Sequence, residues 1–341
     1  MKIAVLSFAH LHSLAYLQAL SQREDIELVA TDPDHGDSDQ GGRQPGESGG
    51  PELAERFGVR YLDDYDAVWE WGPDAVIICS ENSLHRPLTE QAAAHGAHVL
   101  SEKPLATSVA DAEAMVEACE KAGVTLMIAH PVRYSTAFLE LKDAYDAGVV
   151  GSVRSILGTN NGQLPMSTRK WFVDPELAGG GSITDHTVHV ADLLDSLLGG
   201  APAKSVYAVS NQILHRGEVV VETGGMVSIE YAGGVIATID CSWSKPDSYP
   251  TWGGLTLQLV GSKGIADMDA FNARVDGHSE SAGNSLWFPY GVNADQAMIN
   301  EYLDSVATGR TPGPDGRSGL RTMSIVRAAY ESVRTGQTVH L

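Results

Sequence analysis

The sequence predicts a two-domain α/β protein: a doubly wound parallel sheet comes first, and a domain built on a mostly antiparallel sheet follows. Three observations predict it. The chain has 341 residues, more than one simple core accommodates. Short apolar runs alternate with helical stretches over residues 1–129. Across residues 130–341 strand-like runs mostly follow one another without a helix between them.

In the first part Ile3 to Leu6, Glu27 to Ala30, Ala75 to Cys79, His98 to Leu100 and Leu126 to Ile128 read as strands. They are continuously apolar, as strands covered on both faces are. Leu14 to Leu20, Glu52 to Phe57, Leu88 to His95 and Val109 to Ala122 read as the helices between them. Residues 33–51 interrupt the rhythm with Gly, Pro and polar residues, and are expected to be a mobile surface loop. In the second part a helix over Asp185 to Leu198, closed by Gly199-Gly200, precedes most of the strands. Those strands are Val153 to Leu157, Ala203 to Val209, Gly225 to Tyr231, Val235 to Cys241, Leu255 to Val260 and Ile265 to Met268. Helices near 294–308 and 318–335 end the chain.

Composition narrows the function. Hydrophobic residues are 43% and charged residues 20% of the chain, the balance of an ordinary globular protein. A formal net charge of −21 repels phosphate backbones and anionic lipid heads, so no nucleic-acid or membrane partner is expected. Cys79, Cys119 and Cys241 are odd in number and never spaced as a disulfide framework or zinc site, which fits a reducing cytoplasm. No signal-peptide h-region and no membrane-spanning run is read in the sequence.

The first strand–helix turn is Ser7-Phe8-Ala9-His10-Leu11-His12. A dinucleotide-binding turn there carries G-x-G-x-x-G, so that backbone amides approach pyrophosphate at a helix N-terminus. All three glycines are replaced, although Ser7 and Ala9 are small, and His10 or His12 offers a phosphate donor or is a packing residue. Asp32 closes the second strand, where a carboxylate binds ribose hydroxyls and repels a 2′-phosphate, favouring NAD over NADP. Ser80, Asn82 and His85 follow the strand ending at Cys79, on the side where ligands meet parallel sheets. Glu102-Lys103-Pro104 leaves the strand His98 to Leu100; an X–Pro bond there can be cis and aim Lys103 into a cleft, or the lysine is solvated at an ordinary turn.

Gly179-Gly180-Gly181 opens a loop into a helix carrying Asp185 and His189, four apart on one face, with Asp192 three further on. Carboxylates can orient an imidazole and raise its basicity, as a general base requires. A metal site and simple helix capping by Asp185 are the competing readings; no third histidine has metal-ligand spacing, and no metal is expected.

Taken together, Glu102-Lys103-Pro104, the glycine run with Asp185-x-x-x-His189, and the ending Asp315-Gly316-Arg317-Ser318-Gly319-Leu320-Arg321 with Ala329-Tyr330-Glu331-Ser332 resemble the Gfo/Idh/MocA oxidoreductases. The resemblance covers nearly the whole chain. It implies an N-terminal Rossmann domain, a C-terminal α/β domain with an open sheet that supports a dimer or tetramer, and hydride transfer between a nicotinamide cofactor and a sugar or polyol hydroxyl. It also implies roles: Lys103 holds the reacting hydroxyl and the nicotinamide end, His189 takes the hydroxyl proton, and Asp185 binds substrate and tunes His189. Trp171 and His186 would line the substrate pocket, while Ser7 to His12, Asp32, Ser80, Asn82, His85, Glu102 and Lys103 would hold the cofactor. Specificity would reside in Gly158 to Lys170 and Ser242 to Trp252. A redox-neutral NAD-dependent glycosidase or epimerase, and a non-enzymatic cofactor or sugar sensor, are the alternatives on this fold.

Overall fold

The computed structural model describes residues 1–34, 49–167, 169–281 and 283–341. The chain divides into two compact units. Unit 1 comprises Met1–His130, Pro165–Gly179 and Asp295–Leu320, and unit 2 comprises Pro131–Leu164, Gly180–Ala294 and Arg321–Leu341.

Unit 1 is organised by six strands: β1 (Lys2–Leu6), β2 (Glu27–Thr31), β3 (Arg60–Tyr61), β4 (Ala75–Ile78), β5 (His98–Glu102) and β6 (Leu126–Ala129). They pair in the order β3-β2-β1-β4-β5-β6, every pair parallel, which is the order of a doubly wound dinucleotide fold. The connecting helices are α1 (His12–Leu20), α2 (Gly50–Arg56), α3 (Tyr65–Trp71), α4 (His85–Ala94) and α5 (Val109–Ala122). The continuous apolar runs have the expected cause: Ile3, Ala4, Val5 and Leu6 are all fully buried. The Ile3, Val5 and Leu6 side chains contribute about 1.5–3 kcal/mol each. α5 begins where Ser108 accepts the Asp111 N–H and ends at the left-handed Gly123. Most of the 33–51 stretch, residues 35–48, lies outside the described residues, and its end is helical rather than loop. Pro51 falls in the first turn of α2, where its missing N–H is harmless.

Unit 2 begins with α6 (Thr136–Asp146), a helix absent from the sequence reading, capped by Ser135 and buried through Phe138 and Leu141. β7 (Val153–Gly162) follows, then the short α7 (Pro175–Ala178), which belongs to unit 1, and α8 (Ser182–Leu197). Next come β8 (Ala203–Asn211), β9 (Gly224–Tyr231), β10 (Ile236–Ser242), β11 (Gly253–Gly261) and β12 (Ile265–Asp269). A small hairpin, β13 (Arg274–Ser279) with β14 (Asn284–Pro289), precedes α9 (Ala294–Thr308), α10 (Gly316–Thr335) and β15 (Val339–His340). The large sheet has seven strands in the order β12-β11-β7-β10-β9-β8-β15. Only β7 and β10 run parallel; the other pairs are antiparallel. α8 covers one face, against β7, β9 and β10. On β7 to β10 burial alternates, and Leu157, Tyr207, Val209, Met226 and Ile236 are exposed. Among the described residues no helix is long and apolar enough to cross a membrane.

Candidate active site

In unit 1 the turn after β1 has the backbone of a glycine without being one. Ser7 takes φ 65, the left-handed region. A local set of bonds holds it there: its N–H donates to Thr31 O at 2.8 Å, and its Oγ accepts the Ala9 N–H at 3.2 Å. Asp32, at the exit of β2, closes the turn. Its Oδ1 accepts the Phe8 N–H at 2.9 Å and the Ser7 hydroxyl at 3.3 Å, and its Oδ2 accepts the Gly50 N–H at 2.8 Å. Asp32 therefore braces the turn. The next amide, that of His10, donates to Cys79 O at 2.8 Å, stitching the turn to the end of β4. Leu11 is exposed at the head of α1, and the amide of His12 donates to His10 Nδ1 at 3.3 Å.

β4 and β5 deliver the next residues. Ser80 Oγ donates to Glu81 O, and Asn82 Nδ2 donates to Ala178 O at 2.8 Å. The Oδ1 of Asn82 is buried with no hydrogen-bond partner among the described residues, and so is available to a ligand donor. His85 is fully buried, with Nδ1 2.9 Å from Pro104 O and Nε2 3.3 Å from Ser80 O, and so ties the β4 and β5 exits together. Burial pushes its pKa down. The Lys103–Pro104 bond is cis. Lys103 is buried with its ammonium 5.6 Å from the centre of the Phe172 ring, not a solvated surface lysine.

Glu102 is fully buried and receives the Tyr16 hydroxyl at 2.6 Å on Oε1, with His12 Nδ1 3.0 Å from the same oxygen. Burial pushes its carboxyl up, but His10, His12 and these hydrogen bonds outweigh it, and the group lies well below the usual range. Burial holds His10 well below its ordinary value, and burial with the Glu102 charge holds Tyr16 well above its own. The segment 169–178 covers this ground. The Trp171 indole N–H donates to Ala9 O at 3.1 Å, and Ala9, Trp171, Phe172 and Ala178 form one apolar cluster. The Arg169 guanidinium lies 4.2 Å from the centre of the Phe172 ring. Spacing offered no sign that Trp171 grips the turn, because the contact joins residues far apart in the chain.

Unit 2 carries the second group. Gly180 has φ 150, and a Cβ there would lie 2.0 Å from the Tyr330 hydroxyl, so only glycine allows the loop to pass. Glu222 Oε1 accepts the Gly181 N–H (3.1 Å), the Ile183 N–H (2.9 Å) and the Tyr330 hydroxyl (2.7 Å), capping α8 from outside the helix. Asp185 and His189, one turn further on, are both buried. Asp185 Oδ2 accepts the Trp243 indole N–H at 3.0 Å and lies 3.2 Å from His186 Nε2. His186 is buried against Gly162, where a Cβ would come within 2.8 Å of its ring, and beside Trp252 at 6.4 Å between ring centres. The carboxylate of Asp192 departs from expectation: Arg133 takes both its oxygens, at 3.0 and 2.6 Å, so it serves an ion pair.

A parallel sheet in this strand order, with a tight turn at the head of α1 and buried polar groups at the strand exits, is the framework of a dinucleotide-binding protein. Two family models match: the oxidoreductase family with NAD-binding Rossmann fold over residues 41–130, and the GFO/IDH/MocA C-terminal domain over residues 138–267. The chain belongs to the GFO/IDH/MocA oxidoreductase family and is an NAD-binding enzyme of it. It is 39% identical over 275 residues to 1,5-anhydro-D-fructose reductase of Ensifer adhaerens, covering 79% of this chain and 80% of that one. It is 30% identical over 273 residues to D-xylose 1-dehydrogenase (NADP(+)) 2 of Haloferax volcanii, covering 79% of this chain and 80% of the relative. The fold matches the crystal structure of GenD2 from gentamicin A biosynthesis in complex with NAD, with TM-score 0.87 and 24% identity over 100% of this chain and 96% of the other.

Proposed function

We propose that this enzyme moves hydride between NAD and a hydroxyl-bearing carbon of a sugar, sugar derivative or polyol, with Lys103, Asp185 and His189 as its working residues. The observation that carries the reading is α8: behind a glycine loop it holds Asp185 and His189 buried one turn apart, with the carboxylate anchored at 3.0 Å by Trp243. Ser7 to His12, Asp32, Ser80, Asn82, Glu102 and Lys103 would hold the cofactor, and the glycine-like backbone at Ser7 fits that use despite the replaced glycines. Bound NAD supplies a hydride acceptor at its nicotinamide ring. His189 takes the proton from the reacting hydroxyl, Lys103 donates to the reacting oxygen and stabilises its developing charge, and Asp185 fixes the substrate and the imidazole. His186 and Trp252 offer an imidazole and an indole to a hydroxylated ring, and Trp171 keeps the cofactor turn in shape.

Asp32 favours NAD, since its carboxylate repels a 2′-phosphate. The exposed apolar positions on β7 to β10 support a homo-oligomer through that face. The three free, buried cysteines support a cytoplasmic home. Calorimetric titration of the cofactor-stripped protein with NAD and NADP, followed by a sugar and polyol screen at the reduced-cofactor absorbance, tests the reading. Preferential NAD binding with turnover of external cofactor supports it. Absence of binding to either cofactor sinks it, and binding without external turnover moves the assignment to a redox-neutral reaction.

A further inference from the structure

Against the Ser7–His12 turn, three metal-ligating side chains converge from β5 and from the turn itself. His12 Nδ1 is 3.0 Å and His10 Nδ1 3.8 Å from Glu102 Oε1, and the donor atoms of all three lie within 4.8 Å of one another. Two ligands of one tetrahedral zinc ion, each at its usual bond length, stand about 3.4 Å apart, so small side-chain shifts bring these atoms onto one ion. The surroundings carry charge of both signs, with Arg169 Nη1 lying 3.5 Å from His10 Nε2, the ring nitrogen opposite Nδ1. Tyr16 donates to Glu102 Oε1 at 2.6 Å, the kind of outer hydrogen bond that orients a ligating carboxylate. The only competitor for His10 Nδ1 in the turn is the His12 amide, at a long 3.3 Å. His12 is partly exposed, which gives an ion a way in and leaves a coordination position toward solvent.

We propose that His10, His12 and Glu102 bind one divalent transition-metal ion, zinc being the best match to two imidazoles and a carboxylate. The ion would tie the turn after β1 to the end of β5 and take over part of the bracing that glycine packing gives elsewhere. The rival account of the same cluster is a set of hydrogen bonds from His12 and Tyr16 to Glu102, and it needs no metal.

The test is calorimetric titration of the full-length, tag-free, chelator-stripped protein with zinc chloride. One equivalent is expected to bind, with a thermal midpoint that rises on loading. His12→Gln and His10→Gln should each weaken binding by at least about tenfold, while the surface controls His278→Ala and His340→Ala leave it unchanged. Circular dichroism of each variant reports folding independently of the metal. If both variants fail to fold, cobalt substitution of the wild type decides: stoichiometric visible d–d bands support the site, and their absence overturns it. No stoichiometric uptake, or uptake that His12→Gln leaves intact, overturns the proposal in favour of the hydrogen-bonded cluster alone.

Discussion

Replacing Asp32 with alanine should damage the fold of unit 1 before it changes cofactor preference. The carboxylate is 1% exposed and accepts two backbone donors, Phe8 N–H at 2.9 Å and Gly50 N–H at 2.8 Å, besides the Ser7 hydroxyl. A buried donor left without its acceptor costs about 1–3 kcal/mol. Two of them give about 2–6 kcal/mol, and water entering the space left by the carboxylate brings the expectation to about 3 kcal/mol. Ser7 loses a restraint on its left-handed backbone at the same time, so the turn relaxes and both NAD and NADP bind more weakly. Asp32→Asn keeps an acceptor for Phe8 but sets an amide against the Gly50 N–H, and should fall between the two. Urea unfolding followed by tryptophan fluorescence measures the first effect and calorimetry the second. An Asp32→Ala protein that unfolds at the wild-type midpoint and changes only its NAD-to-NADP ratio would refute the bracing role.

Four further outcomes follow from the same geometry. Trp243→Phe removes the indole N–H from Asp185, a hydrogen bond to a charged group worth about 1.5–3 kcal/mol, so kcat/KM should fall about 10- to 100-fold with NAD affinity kept; unchanged turnover would detach Asp185 from catalysis. His189→Gln and Lys103→Met should each lower turnover by about 10²–10⁴ while the protein still binds NAD, and full activity in either would remove that residue from the working set. Burial raises the Glu222 carboxyl, against the opposing hydrogen bonds from Tyr330, Ile183 and Gly181. The folded state therefore holds this proton more tightly than the unfolded one, and wild-type stability should decline as pH climbs from about 4.5 through the raised value. Glu222→Gln should flatten that part of the stability–pH curve, and an unaltered curve would show that Glu222 does not titrate there. Finally, Tyr207→Glu with Ile236→Lys places charge on the exposed face of the large sheet and should lower the mass seen by light scattering; an unchanged mass would move the interface elsewhere.

What the sequence disclosed was periodic or local. The buried parallel strands are legible because each is an unbroken apolar run, and α8 because its glycine run and its Asp185–His189 spacing lie within one stretch. α6 was missed: only Phe138 and Leu141 are buried within its eleven residues, so its apolar stripe is thin. The site was half legible. Glu102-Lys103-Pro104 stands out as a motif, but its neighbours Tyr16, His10 and His12 meet Glu102 only after β1 and β5 are folded around β4. Metal-ligand spacing is equally local and points to the stretch around Asp185, whereas His10, His12 and Glu102 converge only at the first turn. Asp192 shows the opposite failure, since helical spacing placed it correctly but could not reveal that Arg133 claims its carboxylate.

The hydrogen bond from Gly50 to Asp32 separates two jobs that one stretch of chain would otherwise share. The backbone leaves β2 at Asp32 and is caught again by that same side chain eighteen residues later, at 2.8 Å. Closing a chain between two points costs entropy that grows only slowly with its length, about 0.6 kcal/mol per doubling, so it is this one bond that sets the geometry handed on to Phe8 and Ser7. The shape of the turn and the length of the connection are thus set apart: the knot is made by Ser7, Phe8, Asp32 and Gly50 alone.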